Sequence, residues 1–98
     1  MKRIFKYLLQ IDDLQNLSLP VGSKILSVQA QREMPCLWAL VDDSEEKYSD
    51  VKVSMYGTGH PISDNELRNK AFAGTVQIGG LVLHVFLQYD NNIQYLIV

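Results

Sequence analysis

The chain has 98 residues, enough for one domain with one hydrophobic core. Hydrophobic residues make up 47% and charged residues 20%, a globular composition that excludes disordered, collagenous and coiled-coil chains. Nine basic and 11 acidic side chains give a net charge of −2, which is too balanced for a non-specific binder of polymeric nucleic acid. The single cysteine excludes an intrachain disulfide framework and a Cys-based zinc site. We expect a single domain over 1–98. No apolar run reaches the ~18 residues of a membrane helix, so we expect no membrane partner.

Alternation of apolar and polar residues dominates the first half of the chain. Branched and aromatic residues predict a strand over 4–9, and strict alternation predicts half-buried strands over 24–31 and 51–56. The polar stretch 32–35, which contains a proline, predicts a hairpin loop. The continuous apolar run 36–41 is too short for a typical helix, so it predicts a central strand covered on both faces.

Helical signals are confined to one short segment, 63–70. Ser63 can cap such a helix, and Glu66 follows at the capping-box spacing.

The second half of the chain contains the strongest hairpin signal. Strands are predicted over 72–78 and 81–89, with Gly79-Gly80 as the tight turn between them, and a last apolar strand over 93–98. Seven or eight short strands with at most one short helix indicate a mainly β fold, a compact antiparallel β-sandwich or barrel. The apolar last strand either pairs within the domain or docks on a neighbouring subunit, because such an end is exposed to fraying and edge pairing.

The most informative segment is the loop Gly57-Thr58-Gly59-His60-Pro61. Two glycines around a hydroxyl residue allow successive backbone N–H groups to form an anion-binding concavity. His60 offers a ring or a donor, and Pro61 stiffens the exit. The alternative is a plain turn that ends a strand, because Gly-Thr-Gly is short and common.

Other candidate side chains have a structural interpretation beside a functional one. Cys36 opens an apolar strand and is expected to be an inert core thiol rather than a nucleophile. Trp38 is expected to be a core anchor, or else a stacking platform. His84 lies on one face of its strand with Val82 and Phe86, where it is either satisfied by hydrogen bonds or part of a pocket lining.

Basic residues that can meet an anionic ligand are few: Arg32 on a loop, and Arg68 and Lys70 after the glycine-rich segment. Solvated surface charge is the alternative for each. His60 and His84 have no metal-ligand spacing with cysteines or carboxylates, so neither a metal nor a cofactor is expected. No nucleotide-binding motif and no pair of titratable groups at catalytic spacing is present, so we expect a protein that is not an enzyme.

Several blocks of the chain resemble a family of small tailed-phage proteins of about this length. The block Tyr56-Gly57-Thr58-Gly59-His60-Pro61-Ile62 is the most distinctive. The others lie within 2–7, 24–29, 36–42 and 74–86, so the resemblance covers nearly the whole chain. Position 83 is leucine, where that family is expected to have tryptophan.

The resemblance implies a phage protein acting in the cytoplasm of the infected bacterial host. Small phage proteins of this kind include sponges that sequester the nucleotide signals of bacterial immunity, the cyclic oligonucleotides of CBASS and the ADP-ribose derivatives of Thoeris. Sponges bind without reaction and are commonly homo-oligomers with pockets between subunits. The implied function is therefore the anti-defence sequestration of a small anionic nucleotide.

Two other functions stay open at this point. One is a protein-interaction factor that binds a host protein through an exposed sheet edge or face. The other is an enzyme, such as a phosphodiesterase that uses His60 and His84.

Overall fold

The computed structural model describes residues 1–88, which form seven strands and a one-turn helix. The predicted last strand over 93–98 lies outside the described residues. In chain order the elements are β1 (Lys2–Leu8), β2 (Leu14–Pro20), β3 (Lys24–Gln31), β4 (Met34–Asp42), β5 (Tyr48–Gly57), α1 (Asp64–Leu67), β6 (Lys70–Ile78) and β7 (Leu81–Gln88).

The strands form two sheets, a three-stranded sheet in the order β1-β4-β3 and a four-stranded sheet in the order β2-β5-β7-β6. Every neighbouring pair of strands is antiparallel. The predicted mainly β fold with one short helix is confirmed. The core lies between the sheets, where apolar residues of both inner faces meet.

Alternation along the strands decides which residues enter this core. On β7, Leu83, Val85 and Leu87 are buried, and on β5 Val53 and Met55 are buried opposite them in register. The residues between them point to the outer face of the four-stranded sheet, the side away from the three-stranded sheet. The alternation predicted on β5 is confirmed for Val53 and Met55, whereas Ser54 and Tyr56 on its outer face are buried as well. The same period on β7 places the outward side chains of the two strands side by side.

Strand β4 is the centre of the three-stranded sheet, as the apolar run 36–41 predicts. Its outer face is only half-buried at Trp38 and Leu40, so the expectation that both faces are covered is wrong there. Cys36 is buried, which confirms the expectation of a core thiol. Trp38 is only half-buried and lies outside the hydrophobic core cluster, so its prediction as a core anchor is wrong. It faces outward because it alternates with the buried residues Leu37 and Ala39.

Both predicted hairpins form, with one correction. The Gly79-Gly80 turn joins β6 to β7, and Ile78 pairs with Leu81 across it. The loop predicted over 32–35 contains only two residues, Arg32 and Glu33, with φ angles of 52° and 63°. Two positive φ angles are typical of a type I′ turn, which matches the twist of the flanking strands. The loop is therefore tighter than predicted, and β4 begins two residues earlier.

Candidate functional site

The connection between β5 and β6 crosses the outer face of the four-stranded sheet. Strand β7 pairs antiparallel with both, so β5 and β6 run parallel and residues 58–69 must return along the length of the sheet. The inner face is occupied by the core, which leaves the outer face for this crossover. The glycine-rich segment is the start of this crossover.

The crossover begins with a turn, since the His60 backbone N–H donates to the Gly57 carbonyl oxygen at 3.1 Å. Gly59 has a φ of 84°, a left-handed conformation that favours glycine. This turn uses the backbone N–H of His60 internally. The segment is thus a hydrogen-bonded turn, and the anion-binding concavity expected for its backbone stays a prediction.

His84 fixes the start of the crossover to the sheet. Its Nε2 atom lies 2.8 Å from the Thr58 hydroxyl oxygen, and its Nδ1 atom lies 3.0 Å from that of Thr75 on β6. Each hydroxyl can donate or accept, so the two threonines satisfy the ring in either tautomer. The interpretation of His84 as a histidine satisfied by hydrogen bonds is confirmed.

The middle of the crossover is the helix α1, which is shorter than the predicted 63–70. Ser63 is its N-cap, and the Ser63 hydroxyl accepts a hydrogen bond from the Glu66 backbone N–H at 3.3 Å. After the helix, Arg68 has an extended backbone and donates to the Asn65 side chain at 3.4 Å. The predicted cap is confirmed, and it sets the position of Glu66 above the sheet.

Beneath the crossover lies a cavity of about 230 Å³. It is bounded by the outer face of β5, by the crossover, by the start of β6 and by the segment before β2. Its lining residues are Asp13, Leu14, Ser54, Met55, Tyr56, His60, Glu66 and Lys70.

Tyr56 connects the cavity to a row of aromatic rings. Its ring centroid lies 6.0 Å from that of His60 and 5.7 Å from that of Phe86, and Phe86 lies 5.6 Å from Phe72. The two latter pairs meet edge to face, the arrangement that the ring quadrupole favours. Tyr56 is buried, whereas Phe72 is 54% exposed. The row therefore runs from the cavity to an exposed ring on β6.

Lys70 places an ammonium group at the cavity. Its Nζ atom donates to the Tyr56 hydroxyl at 2.7 Å and lies 5.3 Å from the centroid of the same ring. If the ammonium lay in the ring plane on the extension of the C–O bond, its distance from the centroid would be the sum of the ring radius, the C–O bond length and the hydrogen-bond length. The observed centroid distance is close to that sum. The ammonium thus lies near the ring plane, and the contact is a hydrogen bond rather than a cation–π interaction over the face.

The charges around the cavity are mixed, because the basic side chain Lys70 and the carboxyl-bearing side chains Asp13 and Glu66 all line it. The cavity is not a basic pocket. An ammonium can pair with a single anionic group, while carboxylates accept hydrogen bonds from hydroxyls and amines. No group of three or more His, Cys, Asp or Glu side chains within 1–88 is placed to hold a metal ion.

The structure brings together only part of the predicted residue set. His60 and Lys70, ten residues apart, both line the cavity. The lining does not include His84 or Arg68, and Arg32 lies on the β3–β4 turn of the other sheet. The rest of the predicted set, Gly57, Thr58, Gly59 and Pro61, lies at the end of β5 and the start of the crossover.

Sequence reasoning missed Tyr56, Glu66 and Asp13 as lining residues. Tyr56 had a usable signal, because it alternates with Val53 and Met55 and therefore points outward directly before the glycine-rich segment. Glu66 was interpretable only as a capping residue. Asp13 approaches through a long-range contact, in which its carbonyl oxygen accepts from the Met55 backbone N–H at 3.1 Å.

Comparison with known families gives a match over nearly the whole chain. A domain family of unknown function, DUF7352, matches residues 1–95. The chain belongs to this family. No curated protein and no solved structure matches it. Across residues 1–88 of this DUF7352 domain, no helix is long and apolar enough to cross a membrane.

Proposed function

We propose that this DUF7352 protein is a binding module that sequesters a small anionic nucleotide in the cavity under the crossover without altering it. The observation that carries the proposal is the Lys70 ammonium beside Tyr56, at the inner end of an aromatic row. A flat base and an anionic group on one small molecule match these two features.

The aromatic row supports the base-binding part of the proposal. Bases stack on aromatic side chains with little regard to sequence, because every base has a π face. Phe72 offers such a face at the surface, and the tilted His60 ring offers a second one at the cavity. A ligand that spans the distance between them would contact both ends of the row.

The mixed charges support a nucleotide with few phosphates. Among residues 1–88, Lys70 is the one Lys or Arg side chain in the lining, so one phosphate group is matched there. Asp13 and Glu66 suit ribose hydroxyls or exocyclic amines, which donate to carboxylates. A cavity of about 230 Å³ encloses only part of a dinucleotide, and the remainder would extend over the exposed ring of Phe72.

The biological setting comes from the resemblance to small tailed-phage proteins. On that basis the ligand belongs to the nucleotide signals of bacterial immunity, either cyclic oligonucleotides or ADP-ribose derivatives, and the protein sequesters it in the cytoplasm of the infected host. Sequestration without reaction agrees with His84, whose two ring nitrogens both bond to threonine hydroxyls rather than to groups of the cavity.

The test is isothermal calorimetry with a panel of cyclic oligonucleotides and ADP-ribose derivatives. We expect binding by the parent and a ten- to hundredfold loss for Lys70→Met, since a hydrogen bond to a charged group contributes about 1.5–3 kcal/mol. Lys52→Met is the matched control, because Lys52 is exposed on the outer face of β5 and does not line the cavity. Its affinity should equal that of the parent.

Two further readouts complete the test. A ligand at a hundredfold over its dissociation constant should stabilise the protein by about 2.7 kcal/mol, a rise in melting temperature of roughly 10 °C or more. Mass spectrometry should recover the ligand unaltered. Silence across the panel, or equal effects of Lys70→Met and Lys52→Met, contradicts the proposal and favours protein interaction. An altered ligand favours an enzyme.

A further inference from the structure

Strand β1 is an edge strand whose outer backbone is open within residues 1–88. It pairs only with β4 in the three-stranded sheet. The Leu9 backbone N–H donates to Pro35, and Met1 accepts from Asp43, so odd-numbered residues of this segment turn their backbone groups towards β4. Even-numbered residues alternate with them and turn their backbone groups outward. Those are Lys2, Ile4, Lys6 and Leu8.

The three other edge strands within this part of the chain carry features that block pairing. Strand β2 ends in Pro20, which lacks a backbone donor. Strand β3 has a register shift between Ile25 and Ser27, and β6 has one between Phe72 and Gly74. Prolines and bulges are the usual devices that protect sheet edges. Strand β1 has neither, and its seven residues pair with β4 in unbroken register.

The side chains of β1 are unusually exposed for a strand. Ile4 is 62% exposed, Leu8 is 60% exposed and Phe5 is 41% exposed. Phe5 lies on the inner side of its sheet, opposite the buried Ala39, and its side chain is nevertheless exposed. Apolar side chains on both faces of an open edge favour continuation of the sheet by another strand.

From these observations we infer that β1 is the interface through which two copies of this chain pair, antiparallel, into a continuous six-stranded sheet β3-β4-β1-β1-β4-β3. This inference is independent of the proposed ligand, because it rests on the other sheet. A two-fold axis normal to the sheet relates the two copies. Each even-numbered residue of β1 must therefore face an even-numbered residue of the second copy, and each odd-numbered residue an odd-numbered one.

In one register of the two β1 strands, the outward backbone groups all form hydrogen bonds and no like charges lie directly opposite each other. With Phe5 opposite Phe5 of the second copy, Ile4 faces Lys6 and Lys2 faces Leu8, so the outward groups of all four even-numbered residues bond. Arg3, whose guanidinium donates to Asp43, then faces the uncharged Tyr7. Shifting the register by one residue on each strand in one direction places Lys6 opposite Lys6 of the second copy. Shifting it in the other direction places Lys2 opposite Lys6. Like charges directly opposite are destabilising, so both shifts are disfavoured.

The first experiment is light scattering at micromolar concentration, for the parent and two variants. The parent should have about twice the mass of one 11.1 kDa chain. Ile4→Pro removes an outward N–H without touching the β4 pairing, and edge strands tolerate such a proline. We expect it to be monomeric with an unchanged circular dichroism spectrum, whereas Ile4→Ala keeps the N–H and stays dimeric. A monomeric parent, or a dimeric Ile4→Pro, overturns the inference in favour of a different occupant of the edge.

A second experiment fixes the register and does not depend on the proline variant. Phe5 faces itself in a non-hydrogen-bonded pair, where Cα atoms lie about 4.5 Å apart, so Phe5→Cys should form an intermolecular disulfide under mild oxidation. Tyr7→Cys should not, because its two copies are offset by four residues, about 14 Å. The native Cys36 is buried and stays in place. Crosslinking at position 7 but not at position 5 overturns the register.

Discussion

Gly74 lies where β6 packs against β3 of the other sheet, and a single added methyl group tests this contact. A Cβ atom built on Gly74 would lie 2.9 Å from the carbonyl oxygen of Val28 on β3, in the other sheet. Ordinary contact begins at 3.4 Å, so Gly74→Ala must move backbone against backbone by about 0.5 Å. Forced overpacking of this kind costs about 1–3 kcal/mol, which lowers the melting temperature of a domain this size by roughly 5–20 °C.

The assay is thermal and urea unfolding of Gly74→Ala beside Gly80→Ala. A Cβ at Gly80 meets no heavy atom within 4 Å, and Gly80 has no positive φ. Gly80→Ala should therefore be neutral, or stabilising by up to about 1 kcal/mol through the unfolded chain. Equal stability of the two variants would refute the reasoning, because it would mean that the sheets are not in contact at Gly74.

Two further predictions test effects other than core packing: the backbone conformation of Gly59 and the hydrogen bonds to Asp42. Gly59 has open space around its Cα but a φ of 84°, so Gly59→Ala should cost about 1–2 kcal/mol in urea unfolding, and Gly59→Asn should recover part of it. Hydrogen bonds from the side chain and backbone of Ser44, together with one from the Met1 ammonium, lower the pKa of Asp42 from 3.8 to about 2. A lowered pKa stabilises the fold above pH 3.8, and this contribution is lost as pH falls towards 2. Ser44→Ala should raise the Asp42 pKa towards its ordinary value in an NMR titration, and an unchanged value would contradict this assignment.

Local patterns predicted the strands that alternate strictly and the turns with special backbone angles. The hairpin at Gly79-Gly80 followed from turn chemistry, and the burial of Val53 and Met55 followed from alternation. Strand β2 was not identified, because leucines at 14, 17 and 19 follow neither the strand period nor the helix period. Leu19 is buried and Leu17 packs against the core, so β2 forms through its pairing with β5 rather than through its own pattern.

Only part of the cavity lining could be predicted from the sequence, because the order of the strands in the sheet brings the lining residues together. His60 and Lys70 lie at the two ends of the crossover. Both line the cavity because the crossover connects β5 to β6 across the strand β7 that lies between them. No local signal indicates that order of strands. Asp13 joins the lining from the far side of β5, through a contact between residues 42 positions apart.

The segment that links β1 to this cavity is fixed at each step, so dimerisation and ligand binding should be separable. The Leu9 backbone donates to Pro35, and Gln10 and Gln15 exchange two hydrogen bonds of 2.9 and 2.8 Å. Asp13 is then fixed to Met55 on β5. Because these bonds lie within one chain, loss of a second copy at β1 leaves Asp13 in place. Ile4→Pro should therefore bind nucleotide with the affinity of the parent, and Lys70→Met should keep the mass of a dimer. Loss of ligand binding in Ile4→Pro would instead mean that the second copy completes the site.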